Sequence, residues 1–181
     1  GLNTKLVALA DAHGNLPRFV LLPAQRHESI GVEPLITGLD FDALIADKAF
    51  DNNVLRAGLN ERGALAVIPA KTNRKTPIPH DAEMYKWRHL VENLFQRLKE
   101  FRRIATRYDK TDASFAAAIY LVGAFLALNR GAGGAGERGV LEGDAAQRAE
   151  EHIGDRGEPQ PQLVGTHRLG RGAVGEQIEL A

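Results

Sequence analysis

Five residues have the types and spacing for metal and phosphate chemistry. Tyr85, Arg88, Glu92 and Lys99 lie in "YKWRHLVENLFQRLK", residues 85–99, and Asp47 ends the apolar run "DALIAD". Wound at about 100° per residue, the first four gather in an arc only about 60° wide. It borders an apolar arc roughly 140° wide formed by Trp87, Leu90, Val91, Leu94, Phe95 and Leu98. A helix that is merely soluble scatters its charges. A carboxylate, an arginine, a lysine and a phenol along one side offer a ligand for a divalent cation and partners for a phosphodiester beside it. Asp47 sits where open α/β sheets hold ligand and catalytic groups, at the carboxyl end of a strand. Plainer readings exist for each residue. Arg88 and Glu92 form an i, i+4 pair, which on a solvated surface contributes only a few tenths of a kcal/mol. For Asp47, position alone favours an ordinary turn residue.

Two basic clusters strengthen the phosphate reading. Lys71, Arg74 and Lys75 occupy the proline-stiffened loop "KTNRKTPIPHD". In "RLKEFRRIATRYDK", Arg97, Lys99, Arg102, Arg103, Arg107 and Lys110 face only Glu100 and Asp109. Both clusters flank the same predicted helix, so nucleic acid is favoured over two solvated faces. His27, His80 and His89 have no metal-ligand spacing to one another and read as surface or loop residues.

The elements that must position these groups follow from periodicity. Lys5 to Asp11 and Arg18 to Leu22 read as two strands of a hairpin turned at "AHGN". A helix comes next, then the short strand ending in Asp47, then a helix in "DNNVLRAGLNERG" closed by Gly63, then a short buried strand in "ALAVIPA". Asp81 is placed to cap one long helix carrying residues 85–99. This order predicts an α/β fold with a mixed sheet. Ala113 to Leu128 carries no charge over 16 residues. A membrane span needs about 20, so a buried Ala-rich helix is the expectation and no membrane partner is expected.

At 181 residues, 44% hydrophobic and 25% charged, the composition is that of a globular domain. The absence of cysteine excludes disulfides and thiolate chemistry, and agrees with a reducing cytoplasm. Met84 is the single methionine, so a chain starting at Gly1 reads as part of something longer or as a processed product. The zero net charge averages two unlike parts: residues 131–181 hold five arginines against nine acids, about −4, and the preceding residues balance them. That tail has no aromatic residue and many glycines, too little apolar surface to offset the entropy of ordering it. The reading is a domain over residues 1–129 and a low-complexity, disordered tail over 130–181, with room for one short helix near "GDAAQRAEEHI". The tail is either a linker or a reading frame run past its natural end.

The pattern Y-x2-R-x3-E-x6-K, filled by Tyr85, Arg88, Glu92 and Lys99, resembles the signature of DDE transposases of the insertion-sequence-five type. "GLNTKLVALADAHGN", "ALIADKAFD", "VIPAKTNRK" and "RHLVENLFQRLKEFRRIATRYDKT" look like consecutive blocks of that family. The resemblance covers about residues 1–129. It implies an RNase H-like sheet in which three carboxylates hold two divalent ions, usually Mg2+, for in-line attack on a phosphodiester. Asp47 matches the second acid and Glu92 the third, both as catalytic metal ligands. Tyr85, Arg88 and Lys99 match the accompanying signature, Arg88 and Lys99 contacting the DNA backbone, with Lys71, Arg74, Lys75, Arg102 and Arg103 as further DNA contacts.

This sequence departs from the pattern in three ways. Ala49 and Phe50 stand where the family's second-Asp block has Gly and Tyr. The first catalytic Asp belongs on a strand before residue 1, and Asp11, at the hairpin turn, does not replace it. The resemblance therefore implies a sheet missing its central strand and an isolated chain with little or no strand-transfer activity. DNA, a homo-oligomer on DNA and an upstream frame supplying the first Asp are the implied partners, in a bacterial-type cytoplasm. A non-catalytic DNA-binding remnant or regulator and an RNase H-like nuclease remain as alternatives.

Overall fold

The structure, a computed structural model, describes residues 4–132 and 162–169. Strands β1 (Thr4–Ala10) and β2 (Arg18–Pro23) form an antiparallel hairpin in register from Thr4↔Pro23 to Leu9↔Arg18. Asp11 closes its turn: Oδ1 accepts from the His13 and Asn15 amides and Oδ2 from Asn15 Nδ2. This is a structural role, as the sequence implies. A 3-10 turn at Glu28–Gly31 leads into α1 (Val32–Ile36), then β3 (Ala43–Ala46), α2 (Asn53–Glu61) and β4 (Leu65–Val67). Asn52 caps α2 through the Leu55 amide, and Gly63 follows it at φ 72°, a left-handed conformation that costs glycine nothing. β4 pairs with β3 only and leaves Leu65 half exposed, so it is an edge strand and not the buried one expected from "ALAVIPA".

The predicted long helix is broken. Asp81 caps α3 (Ala82–Tyr85) as expected, accepting from the Glu83 and Met84 amides. A 3-10 turn at Lys86–Arg88 then precedes α4 (His89–Lys99). The tighter winding shifts the phase of Tyr85 relative to the helix proper. Leu90, Val91, Leu94, Phe95 and Leu98 remain on the buried side of α4. Short α5 (Arg102–Ala105) and long α6 (Asp112–Ala132) follow.

The largest departure lies in the C-terminal region. Residues Gln162–Leu169 form β5, and the sheet order is β2-β1-β5-β3-β4. β5 runs antiparallel to β1, from Thr4↔Leu169 to Ala10↔Leu163, and parallel to β3, from Leu44↔Gln162 to Ala46↔Val164. The expected gap is thus filled by this chain's own C-terminal segment. For these eight residues the disordered-tail reading is corrected. The apolar content of the tail is low as a whole, but "LVG" concentrates it where both inner strand edges need backbone partners. The expected helix near "GDAAQRAEEHI" lies outside the described residues.

Strand alternation divides the core into two layers. Leu6, Ala8, Ala10, Ile45 and Leu163 face α4 and α6, meeting Val91, Leu94, Phe95, Phe115 and Ile119. Val7, Leu9, Leu44, Ala46 and Val164 face α1 and α2, meeting Leu35, Ile36, Leu55 and Leu59. The uncharged segment at 113–128 is helical, but only one of its faces is buried. Phe115, Ile119 and Leu126 pack inward, whereas Tyr120, Leu121, Phe125 and Leu128 are exposed.

Candidate active site

Asp47 stands between the end of β3 and a 3-10 turn at Lys48–Phe50, which it caps weakly through the Ala49 amide at 3.4 Å. Ile45 faces the α4 layer and Ala46 the opposite one, so alternation returns Asp47 to the α4 side. There it meets Arg88. One guanidinium nitrogen lies 3.4 Å from Asp47 Oδ2, and the other forms a closer ion pair with Glu92 Oε1. A strand end and a helix more than 40 positions later therefore deliver their carboxylates to a single cation. Side-chain exposures of 15% for Asp47, 23% for Arg88 and 29% for Glu92 leave the group open to a ligand at the carboxyl end of β3.

Tyr85 completes this group. Its ring centroid lies 5.7 Å from the Arg88 guanidinium carbon, within range of a cation–π contact. Burial, reinforced by the charges of Asp47 and Glu92 against the opposing Arg88, raises its pKa above the usual tyrosine value. The phenol stays protonated at neutral pH and is a donor. Lys99 is not part of the group. It ends α4 seven residues beyond Glu92, roughly 10 Å further along the axis.

The loop cluster behaves differently from the expectation. Asp51 is buried, and its carboxylate accepts from Arg56 Nε, from Arg74 Nε and Nη2, and from the Lys71 amide, all within 2.9 Å. The Arg74 hydrogen bonds, with those from Lys71 and Arg56, overcome the effect of burial and hold the Asp51 pKa well below the usual carboxylate range. Arg74 Nη1 donates to Asn53 Oδ1 at 2.9 Å, so each of its three nitrogens is engaged inside the protein. Arg74 thus serves as a clamp on Asp51 and Asn53. Lys71 lines a groove of about 610 Å³ with His27, Glu33 and Asn53, against α1 and α2 and away from α4. Lys75 is exposed.

In the second cluster, Arg103 is held by Asp109 at 3.1 and 2.6 Å, and Arg107 by Asp112 at 2.5 Å. Arg102 is exposed at the start of α5, three residues after Lys99. Sequence reading missed Asp51 as an organising residue, although it closes the quoted "DKAFD" block. A second acid four positions after a strand-end acid, upstream of an arginine-bearing loop, was the available signal.

A mixed five-stranded sheet with flanking helices, one acid at a strand end and another on the covering helix, is the arrangement of an RNase H-like domain. The chain belongs to the DDE transposase family: the model described as the transposase DDE domain matches residues 2–130. It is 34% identical over 127 residues to a Brucella ovis (strain ATCC 25840 / 63/290 / NCTC 10512) protein named "Putative transposase for insertion sequence element IS6501". That match covers 69% of this chain and 98% of the relative. No solved structure matches the chain.

The family generally works with divalent metal ions, but the residues here do not fit a two-metal centre. Hard divalent cations require several oxygen ligands. No group of three or more acid or histidine side chains is placed to hold a metal among the described residues. Both carboxylates of the pair are already engaged by Arg88.

Proposed function

We propose that this chain is part of the catalytic domain of an insertion-sequence-five type transposase, that it engages DNA, and that by itself it carries out no strand transfer. The observation carrying this reading is the convergence of Asp47 and Glu92 on Arg88. Family membership implies DNA as substrate and polynucleotidyl transfer as the class of reaction. Arg88, Tyr85, Lys99 and Arg102 then supply the phosphate contacts, with Lys75 and Arg103 at the margins; Arg88 reaches a phosphate by exchanging one of its two carboxylate partners for it. Activity requires a third acid, which an upstream frame of the element or another subunit on DNA would bring. The setting is a bacterial cytoplasm.

Fluorescence anisotropy on duplexes ending in the element's terminal repeats tests the reading. Affinity should fall steeply with salt, and Lys99→Ala with Arg102→Ala should flatten the slope of log K against log salt by about two contacts. Mg2+-dependent nicking of the same duplex by the isolated chain, abolished in Asp47→Asn, would overturn the inactivity. Salt-insensitive or absent binding would overturn the DNA role. Binding that survives Glu92→Gln without any cleavage favours the second reading, a DNA-binding regulator of the element, which the Arg88-bridged acids support.

A further inference from the structure

The disagreement between the family's divalent metal and this chain's acid pair traces to one residue of β5. The β3/β5 register ends at Ala46↔Val164, so the next step sets Gly165 beside Asp47 at the roughly 4.8 Å spacing of neighbouring strands. Leu163 enters the α4 layer and Val164 the opposite one, so position 165 faces α4, as Asp47 does. A Cβ built there would lie 2.7 Å from Phe95 Cε2 and 2.9 Å from Val91 Cγ2. Val91 is the neighbour of Glu92 on α4, and Phe95 lies one helical turn from Glu92.

We infer that position 165 is the third corner of the Asp47–Glu92 group, closed off by Val91 and Phe95, and that glycine there makes it an arginine-bridged pair instead of a divalent-cation site. Two carboxylates and one guanidinium leave a single net negative charge and few free oxygens. A hard cation would have to expel Arg88 and then find two fixed acids only. A carboxylate at 165 adds both charge and oxygen ligands on the remaining side. The inference rests on the acid pair of the proposed reading and is independent of DNA binding.

Mn2+ titration of the full chain, followed by the electron paramagnetic resonance of free Mn2+, tests it. Gly165→Asp should bind Mn2+ at least tenfold more tightly than Gly165→Asn, which has the same shape without the charge. The gain should vanish on adding Asp47→Asn. Because the new side chain crowds Val91 and Phe95, the comparison is repeated with Val91→Ala, which opens space beside position 165. Equal affinity of the Asp and Asn variants, or a gain indifferent to Asp47→Asn, would overturn the inference. Failure of the acid to fold even with that space would place position 165 inside the core and overturn it equally. Salt-dependent DNA binding by the unaltered chain would stand through any of these outcomes, which separates this failure from that of the proposed function.

Discussion

Three buried or half-buried acids of this chain meet arginine in two opposite arrangements. At Asp47 and Glu92 a single guanidinium serves two carboxylates in a partly open site, leaving room for exchange of partners. At Asp51 two guanidinium groups and a backbone amide serve one carboxylate that is 1% exposed. The second arrangement is structural and ties β3, α2 and the loop at 71–74 together. Asp51→Asn should cost about 3 kcal/mol, because it leaves Arg56 and Arg74 without their counter-charge; both are partly solvated, which keeps the cost at the low end for a buried pair. Urea unfolding at neutral pH measures it. The pH dependence has a definite sign. Asp51 is depressed when folded, so its contribution is full above the unfolded aspartate value of about 3.9 and is lost as pH falls towards the folded value. The stability gap between the protein and Asp51→Asn should therefore shrink in acid, below about pH 4. A gap constant from pH 7 to pH 3 would show that the charge of Asp51 contributes nothing. Of these acids, Asp47 and Glu92 were singled out by the family signature, since position alone favoured an ordinary turn residue and a surface ion pair. Asp51 was not, because its partners lie up to 23 positions away in a loop.

At the scale of elements, legibility followed the range of the interactions that define each one. The β1/β2 hairpin and α2 rest on local turns and caps, and the residues that make them can be read in order along the chain. The break before α4 is tertiary: it places Arg88 against Asp47 on a different element, and no propensity within "YKWRHLV" marks it. β5 depends on long-range pairing altogether, since "QLVGTHRL" has few apolar residues and becomes a strand because two edges await it. If that account holds, its side chains must matter as core residues do. Leu163→Ala should cost about 3 kcal/mol, in the range for truncating a buried leucine, although it lies in a segment of low overall hydrophobicity. Leu121→Ala on α6, where the leucine is 73% exposed, should change stability by no more than about 0.5 kcal/mol. Paired urea denaturation curves decide between them. Equal and small effects would mean that β5 is not a working part of the sheet. The exposed row on α6 also explains how an uncharged stretch misleads: apolar length was read as burial, while the helix buries one stripe and offers the other to solvent.

For the whole molecule, the sheet is two pairs joined by a strand from the far end of the chain. β1 with β2 and β3 with β4 form from nearby sequence, and β1 and β3 have no direct pairing with each other. β5 makes seven pairs on one side and three on the other, and contributes Leu163 and Val164 to the two separate core layers. Its partners on β1 lie about 150 to 165 positions away, so closing the sheet carries a high entropic cost and should come late in folding. Deleting residues 162–181 leaves α4, α6, α1 and α2 in the sequence but removes the strand both layers pack on. Two unpaired inner edges then face each other across a space that side chains cannot fill. The truncated chain should lose its single cooperative transition and unfold gradually in urea with a smaller denaturant slope, while still giving helical circular dichroism. Because α4 packs on β1 and β5 whereas Asp47 ends β3, the truncation should also loosen Arg88 from Asp47 and weaken DNA binding without removing any phosphate-contacting side chain. A truncated protein that unfolds as sharply as the full chain would show that residues 4–132 close their own sheet, and that the C-terminal segment is dispensable.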